Sequence, residues 1–189
     1  VANSGTPLSG SRHGVGIEIP GYGTTPPQET ESRAVTPEYF STLGMRLLRG
    51  RVFDDSDSAG APHVMVVNDV AERRFFAGRD PVGEVVRLNG PTTIVGVVRG
   101  THNRGPEEDV QPEVYTPLVQ ERYFDLAATD PDGPLTVGGL IVKTDEDPRQ
   151  LADAVREAVR PVVTRLPGAT EFIDEDFRRI TAERRFNAG

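Results

Sequence analysis

Residues 61–78 read APHVMVVNDVAERRFFAG, and residues 84–98 read EVVRLNGPTTIVGVV. The run 61–67 is short, apolar and rich in β-branched residues, which predicts a buried strand. Asn68 stands where a helix needs an N-cap, Ala71 and Phe75 follow four apart on one face, and Gly78 supplies a stop. A helix through about Phe76 follows. Asn89-Gly90, between runs 84–88 and 92–98, is the strongest short hairpin signal in the chain, because both residue types tolerate the positive φ of a tight turn. A strand, a helix and a hairpin in this order predict a compact α+β lobe.

On the N-terminal side, Thr36 as N-cap and Pro37 in the first turn open a short helix. Tyr39, Phe40 and Leu43 share one face of it, and Gly44 ends it. Residues 1–30 are rich in Gly, Ser, Thr and Pro, but Val15, Ile17 and Ile19 alternate as an edge strand would. On the C-terminal side, residues 112–118 form a closing aromatic strand, and residues 100–111 and 121–135 carry the Pro, Gly and acidic content of loops. From Gly138 the pattern is a βαβ unit. It comprises a strand Leu140–Lys143, a helix opened by Asp147-Pro148 with Leu151, Val155 and Val159 on one face and stopped before Pro161, and a returning strand Thr170–Ile173. The last segment, from Asp174, places Phe177 and Ile180 on one face beneath Arg178, Arg179, Arg184 and Arg185.

An apolar content of 36% over 189 residues is enough for a core. A net charge of −8 repels nucleic-acid backbones, and no run of basic residues overrides it. Cysteine is absent, which removes disulfides, zinc thiolates and cysteine nucleophiles from consideration. The longest apolar stretch, 94–98, is strand-sized rather than membrane-sized, and Val1 does not open a signal peptide. We expect the chain to be an excised piece of a longer protein.

Candidate chemistry is sparse. Gly14-Val-Gly16 and Gly21-Tyr-Gly23 lack the third glycine of a dinucleotide loop, and there is no Walker-type phosphate loop. Asp130-Pro-Asp132-Gly133 resembles a calcium loop but has Ala128 and Gly139 where ligands are needed, so a turn is the better account. The acidic runs 54–57 and 107–109 read as solvated loops. His13, His63 and His102 have no zinc-like spacing, and Ser9 lies in no nucleophile elbow. Tyr39-Phe40 and Phe75-Phe76 are read as core, whereas Tyr123-Phe124 suits a partner contact as well as local packing. We therefore expect no catalytic, cofactor-binding or metal-binding residue, and no enzymatic activity.

Several segments in fixed order resemble the MacB-like periplasmic core domain of ABC-transporter permeases of the FtsX/MacB type. They are Tyr39-Phe40 with Leu43-Gly44, Arg49-Gly50-Arg51 with Phe53, the loop 54–57, and the strand 64–67 leading into Asn68. The series continues through Arg73-Arg74-Phe75-Phe76, Asp80-Pro81-Val82-Gly83, residues 94–98, and Pro112 to Tyr115 before Pro117-Leu118. The resemblance implies two lobes: a βαβ-containing base from residues 1–35 plus 119–189, incomplete at its N-terminal side, and an inserted mixed α/β lobe over 36–118. It also implies an extracytoplasmic domain between two transmembrane helices that couples ATP-driven conformational change to export or to an envelope partner. The implied partners are the transmembrane helices of the same permease, a separate ATP-binding subunit or domain, a second copy in the full transporter and a periplasmic protein, with no nucleic acid and no cofactor. The rival expectation is a stand-alone extracytoplasmic module that binds a peptide, lipid or sugar.

Overall fold

The computed structural model describes residues 14–20, 27–102, 108–120, 139–160 and 172. Its strands are β1 Gly14–Ile17, β2 Gln28–Val35, β3 Leu47–Gly50, β4 Val64–Asn68, β5 Val85–Arg87, β6 Pro91–Val98 and β7 Glu113–Pro117. The helices are α1 Glu38–Thr42, α2 Asp69–Phe76 and α3 Pro148–Val159. The strands form one mixed sheet in the order β1-β2-β7-β4-β6-β3, and β5 also pairs with β6. β3 and β5 share one edge of β6, against residues 96–98 and 91–93 respectively. Beyond β1, Glu18 exchanges both backbone hydrogen bonds with Arg87 at 3.0 and 2.9 Å, so the sheet curls back on itself.

The two faces differ as strand periodicity requires. Met65 and Val67 of β4, Ile94 and Val97 of β6, and Val114 of β7 turn inward with Ile17, Ile19 and Val86, where Phe75 and Phe76 of α2 fill the space. Val64 and Val66, Val98 and Tyr115 turn outward and are covered by Tyr39 and Phe40 of α1, with Met45 and Phe53. Burying each of these large side chains stabilises the fold by roughly 1.5–3 kcal/mol.

The local signals explain the element ends. Asn68 Oδ1 accepts the Ala71 amide at 2.8 Å, as a helix cap should. α2 closes through Ala77 at φ +48° before Gly78 at φ +84°, so the left-handed stop begins one residue earlier than the glycine. Asn89 and Gly90 take φ of +55° and +144° in the expected hairpin. A Cβ on Gly96 would lie 2.0 Å from the Arg51 carbonyl oxygen, and one on Gly50 would lie 2.2 Å from that of Val95. Two backbones cross there at a distance that only glycine permits.

α1 opens as expected: Pro37 already has helical dihedrals and so stands in the first turn, and the Thr36 carbonyl before it accepts the Tyr39 amide at 3.1 Å. Of the expected elements, one needs correction, the strand over residues 140–143. Residues 140–143 do not form a strand: Ile141 packs on the outward cluster, but Leu140 and Val142 are exposed and no ladder forms there. β2 pairs along β7 from Glu31–Glu113 to Val35–Pro117. α3 matches its expectation, with the Asp147 side chain accepting the Arg149 amide at 3.0 Å and Pro148 in the first turn. None of its residues is fully buried. The expected strand 170–173, apart from Phe172, and the segment from Asp174 lie outside the described residues.

Candidate functional site

β2 reads QETESRAV and β7 reads EVYTP, and their parallel register sets Arg33 opposite Tyr115 and Glu31 opposite Glu113. Alternation then turns Arg33, Glu113 and Tyr115 to the same outward face. Arg33 is 4% exposed and Glu113 2%. Arg33 Nε donates to Glu113 Oε1 at 3.1 Å, and the Tyr115 hydroxyl donates to Oε2 at 2.6 Å. Glu31 approaches Arg33 Nη2 at 3.9 Å. α1 lays Tyr39 and Phe40 over this group, with ring centroids 6.0 and 5.4 Å from that of Tyr115. The Tyr39 hydroxyl is buried without a hydrogen-bond partner.

The network continues into α2. The Asn68 carboxamide that caps α2 also accepts the Glu113 amide at 3.2 Å and donates to the Gln111 carbonyl at 2.7 Å. One buried polar chain thus ties β2, β7 and the start of α2, and the rings of α1 pack over it. Burial works against the Arg33 charge, but the Glu113 carboxylate together with Tyr39 and Tyr115 outweighs it and holds the guanidinium protonated. Burial, with Glu113 nearby, pushes the Tyr115 hydroxyl well above the ordinary phenol value, and burial does the same to Tyr39. Neither phenol releases its proton near neutral pH. The arrangement suits a fastener, since its groups bind one another.

Among the described residues, those weighed for chemistry do not converge. Tyr39, Phe40, Phe75 and Phe76 are core. His63 and His102 are exposed, and His102 Nδ1 meets the Glu108 carbonyl at 2.9 Å. The acidic loop closes on Arg51, whose two terminal nitrogens contact Asp57 at 2.7 and 2.8 Å, while the Asp57 carboxylate accepts the Asp54 amide at 3.0 Å. The Arg51 hydrogen bond, against the effect of burial, keeps the Asp57 carboxyl below its usual range. Gly14 and Gly16 belong to β1, not to a phosphate loop. Ser9, His13, residues 21–23, Tyr123-Phe124 and Asp130 to Gly133 lie outside the described residues.

Sequence reasoning missed Arg33, Glu113 and the role of Gln120. Gln120 is buried, accepts the Val64 amide at 3.2 Å and donates to the Ser58 carbonyl at 3.1 Å. The available signal was a charged residue inside an otherwise apolar strand, at Glu113.

Residues 7–161 match the family model described as the MacB-like periplasmic core domain. The chain is 29% identical over 142 residues to the macrolide export ATP-binding/permease protein MacB 1/2 of Paracoccus denitrificans. It is 31% identical over 140 residues to the protein named macrolide export ATP-binding/permease protein MacB in Agrobacterium fabrum. Each match takes in 73% of this chain and 20% of the relative, so the chain spans about a fifth of their length. The fold is similar to the crystal structure of the periplasmic region of MacB from Actinobacillus actinomycetemcomitans, with a TM-score of 0.55, 17% identity, and coverage of 79% of this chain and 63% of that one. A domain of a permease protein from Porphyromonas gingivalis aligns at a TM-score of 0.50 with 14% identity, covering 86% of this chain and 70% of that one. With a family match over most of its length and a mixed sheet similar to that of a MacB periplasmic region, the chain belongs to the MacB-like periplasmic core domain family of ABC-transporter permeases.

Proposed function

We propose that this domain couples ATP-driven conformational change in a permease to export or to a partner in the cell envelope. The observation that carries the reading is the family match over residues 7–161. The curated relatives are named as export proteins that join ATP-binding and permease functions, and this chain corresponds to about a fifth of each. In this reading the domain works outside the cytoplasm between transmembrane helices of the same permease. A separate ATP-binding subunit or domain supplies the energy, and a second copy of the permease completes the transporter. Residues 1–35 plus 119–189 make its base lobe, and residues 36–118 the inserted lobe. No residue is assigned to catalysis, a cofactor or a metal.

The buried fastener supports this reading physically. Transmission needs a body that moves without fraying, and segments joined by buried, hydrogen-bonded contacts open only at substantial cost in free energy. Arg33, Glu113 and Tyr115 join the strand that precedes α1 to the strand that closes the sheet. Glu113→Gln in the full-length transporter is expected to leave ATP hydrolysis largely intact and to lower export. Export at the unmodified rate, in a variant expressed to the same level, overturns the coupling role.

A further inference from the structure

Away from the fastener, two arginines meet on one buried carboxylate. Asp69, in the first turn of α2, has a side chain only 7% exposed, and its Oδ2 accepts from Arg73 Nη1 at 2.9 Å and from Arg99 Nη1 at 2.8 Å. Its other oxygen accepts the Gly100 amide at 2.8 Å. That approach is close because Gly100 has no side chain: a Cβ there would lie 2.5 Å from Val110 Cγ1. Asp69 is therefore fixed from behind and holds both guanidiniums side by side at their inner corners. The outer parts face solvent, with Arg73 63% and Arg99 57% exposed. Glu72, next to Arg73 in the chain, is engaged by Arg49, as is Asp80. Arg46, whose carbonyl accepts the Arg99 amide at 2.8 Å, is exposed beside them.

We propose that Arg73 and Arg99 form a binding site for a phosphate-type oxyanion. A guanidinium spends one N–H on Asp69 and keeps a planar set of donors for a second acceptor. One such fork saturates a planar carboxylate. Two forks from different directions suit a tetrahedral group that offers three oxygens. Arg73 comes from a helix and Arg99 from the end of β6, so their approach directions differ. Free inorganic phosphate and a phospholipid headgroup present the same chemistry.

The test uses the full chain and follows the Gly100 amide and the arginine Nε signals by NMR at constant ionic strength. Inorganic phosphate is titrated against the unmodified protein, Arg73→Gln/Arg99→Gln and Arg73→Lys, with acetate as the carboxylate control. Phosphate should shift these signals saturably. Arg73→Lys keeps the charge but loses the fork, and it should weaken binding by about tenfold, the scale for one charge-assisted hydrogen bond. A parallel flotation assay compares phosphatidylglycerol vesicles with phosphatidylcholine vesicles. Vesicle binding that is lost in the double variant identifies a lipid headgroup as the source, whereas a phosphate response without vesicle binding identifies the free ion; either supports the site. The proposal is overturned if phosphate leaves the signals unmoved, if acetate binds as well as phosphate, or if Arg73→Lys binds phosphate as tightly as the unmodified protein.

Discussion

The inward and outward faces of the sheet are built from the same strands but solve different problems. The inward cluster is apolar throughout, with Met65, Val67, Ile94, Val97 and Val114 sealed by Phe75 and Phe76. The outward face combines aromatic packing with a buried ion pair and a phenol bonded to it. An apolar face tolerates any arrangement that fills its volume, whereas a buried ion pair is satisfied only in one register. The outward face therefore fixes how β2 aligns with β7, and the inward face holds the assembly together.

The sharpest break of this contrast is Phe40→Ala. It removes the ring that contacts both Phe53 and Tyr115, and should destabilise the protein by about 3–5 kcal/mol in a denaturant titration. Arg33→Met should cost about 3 kcal/mol by leaving the Glu113 carboxylate buried with less compensation. Adding Glu113→Leu should recover most of that loss, and a double variant no more stable than the single one would show that the pair is not the unit of stability. Tyr115→Phe deletes a single hydrogen bond to a carboxylate and should cost about 1.5–3 kcal/mol.

Acid reaches the loop beside the outward face. Because the Asp57 carboxyl sits below its usual range when folded, its contribution is complete above the unfolded-state value and is lost as pH falls through the lower folded one. A plot of stability against pH should show that loss, and Asp57→Asn should flatten it. The smallest effect belongs to Tyr39→Phe. Its hydroxyl is buried and unpaired, so removing it should leave stability unchanged or slightly raised, in contrast to the same change at Tyr115.

Local chemistry was legible in the sequence. The Asn68 cap, the Asn89-Gly90 hairpin and the Asp147-Pro148 helix start each depend on a few adjacent residues, and each is found in the structure. The resemblance through Arg49-Gly50-Arg51 and residues 94–98 also has a physical basis, since Gly50 and Gly96 allow two backbones to cross. The Arg33–Glu113 pair was not legible because its partners are 80 residues apart and meet only through parallel pairing of β2 with β7. Residues 140–143 misled because β-propensity specifies a surface to pack on, and there only Ile141 finds one.

The Glu18–Arg87 bridge has a consequence in time. Two backbone bonds join the end of β1 to β5 across a long stretch of chain, whereas the longer ladders of β2 with β7 and β4 with β6 carry many pairs. Closing a long loop costs entropy before its contacts repay it, so this bridge should be the last join to form in folding and the first to part. Its parting would expose the Glu18 and Arg87 amides together and bring water to Ile17 and Ile19 while the rest of the inward cluster stays dry. In hydrogen exchange these two amides should form a fast pair within an otherwise slow sheet.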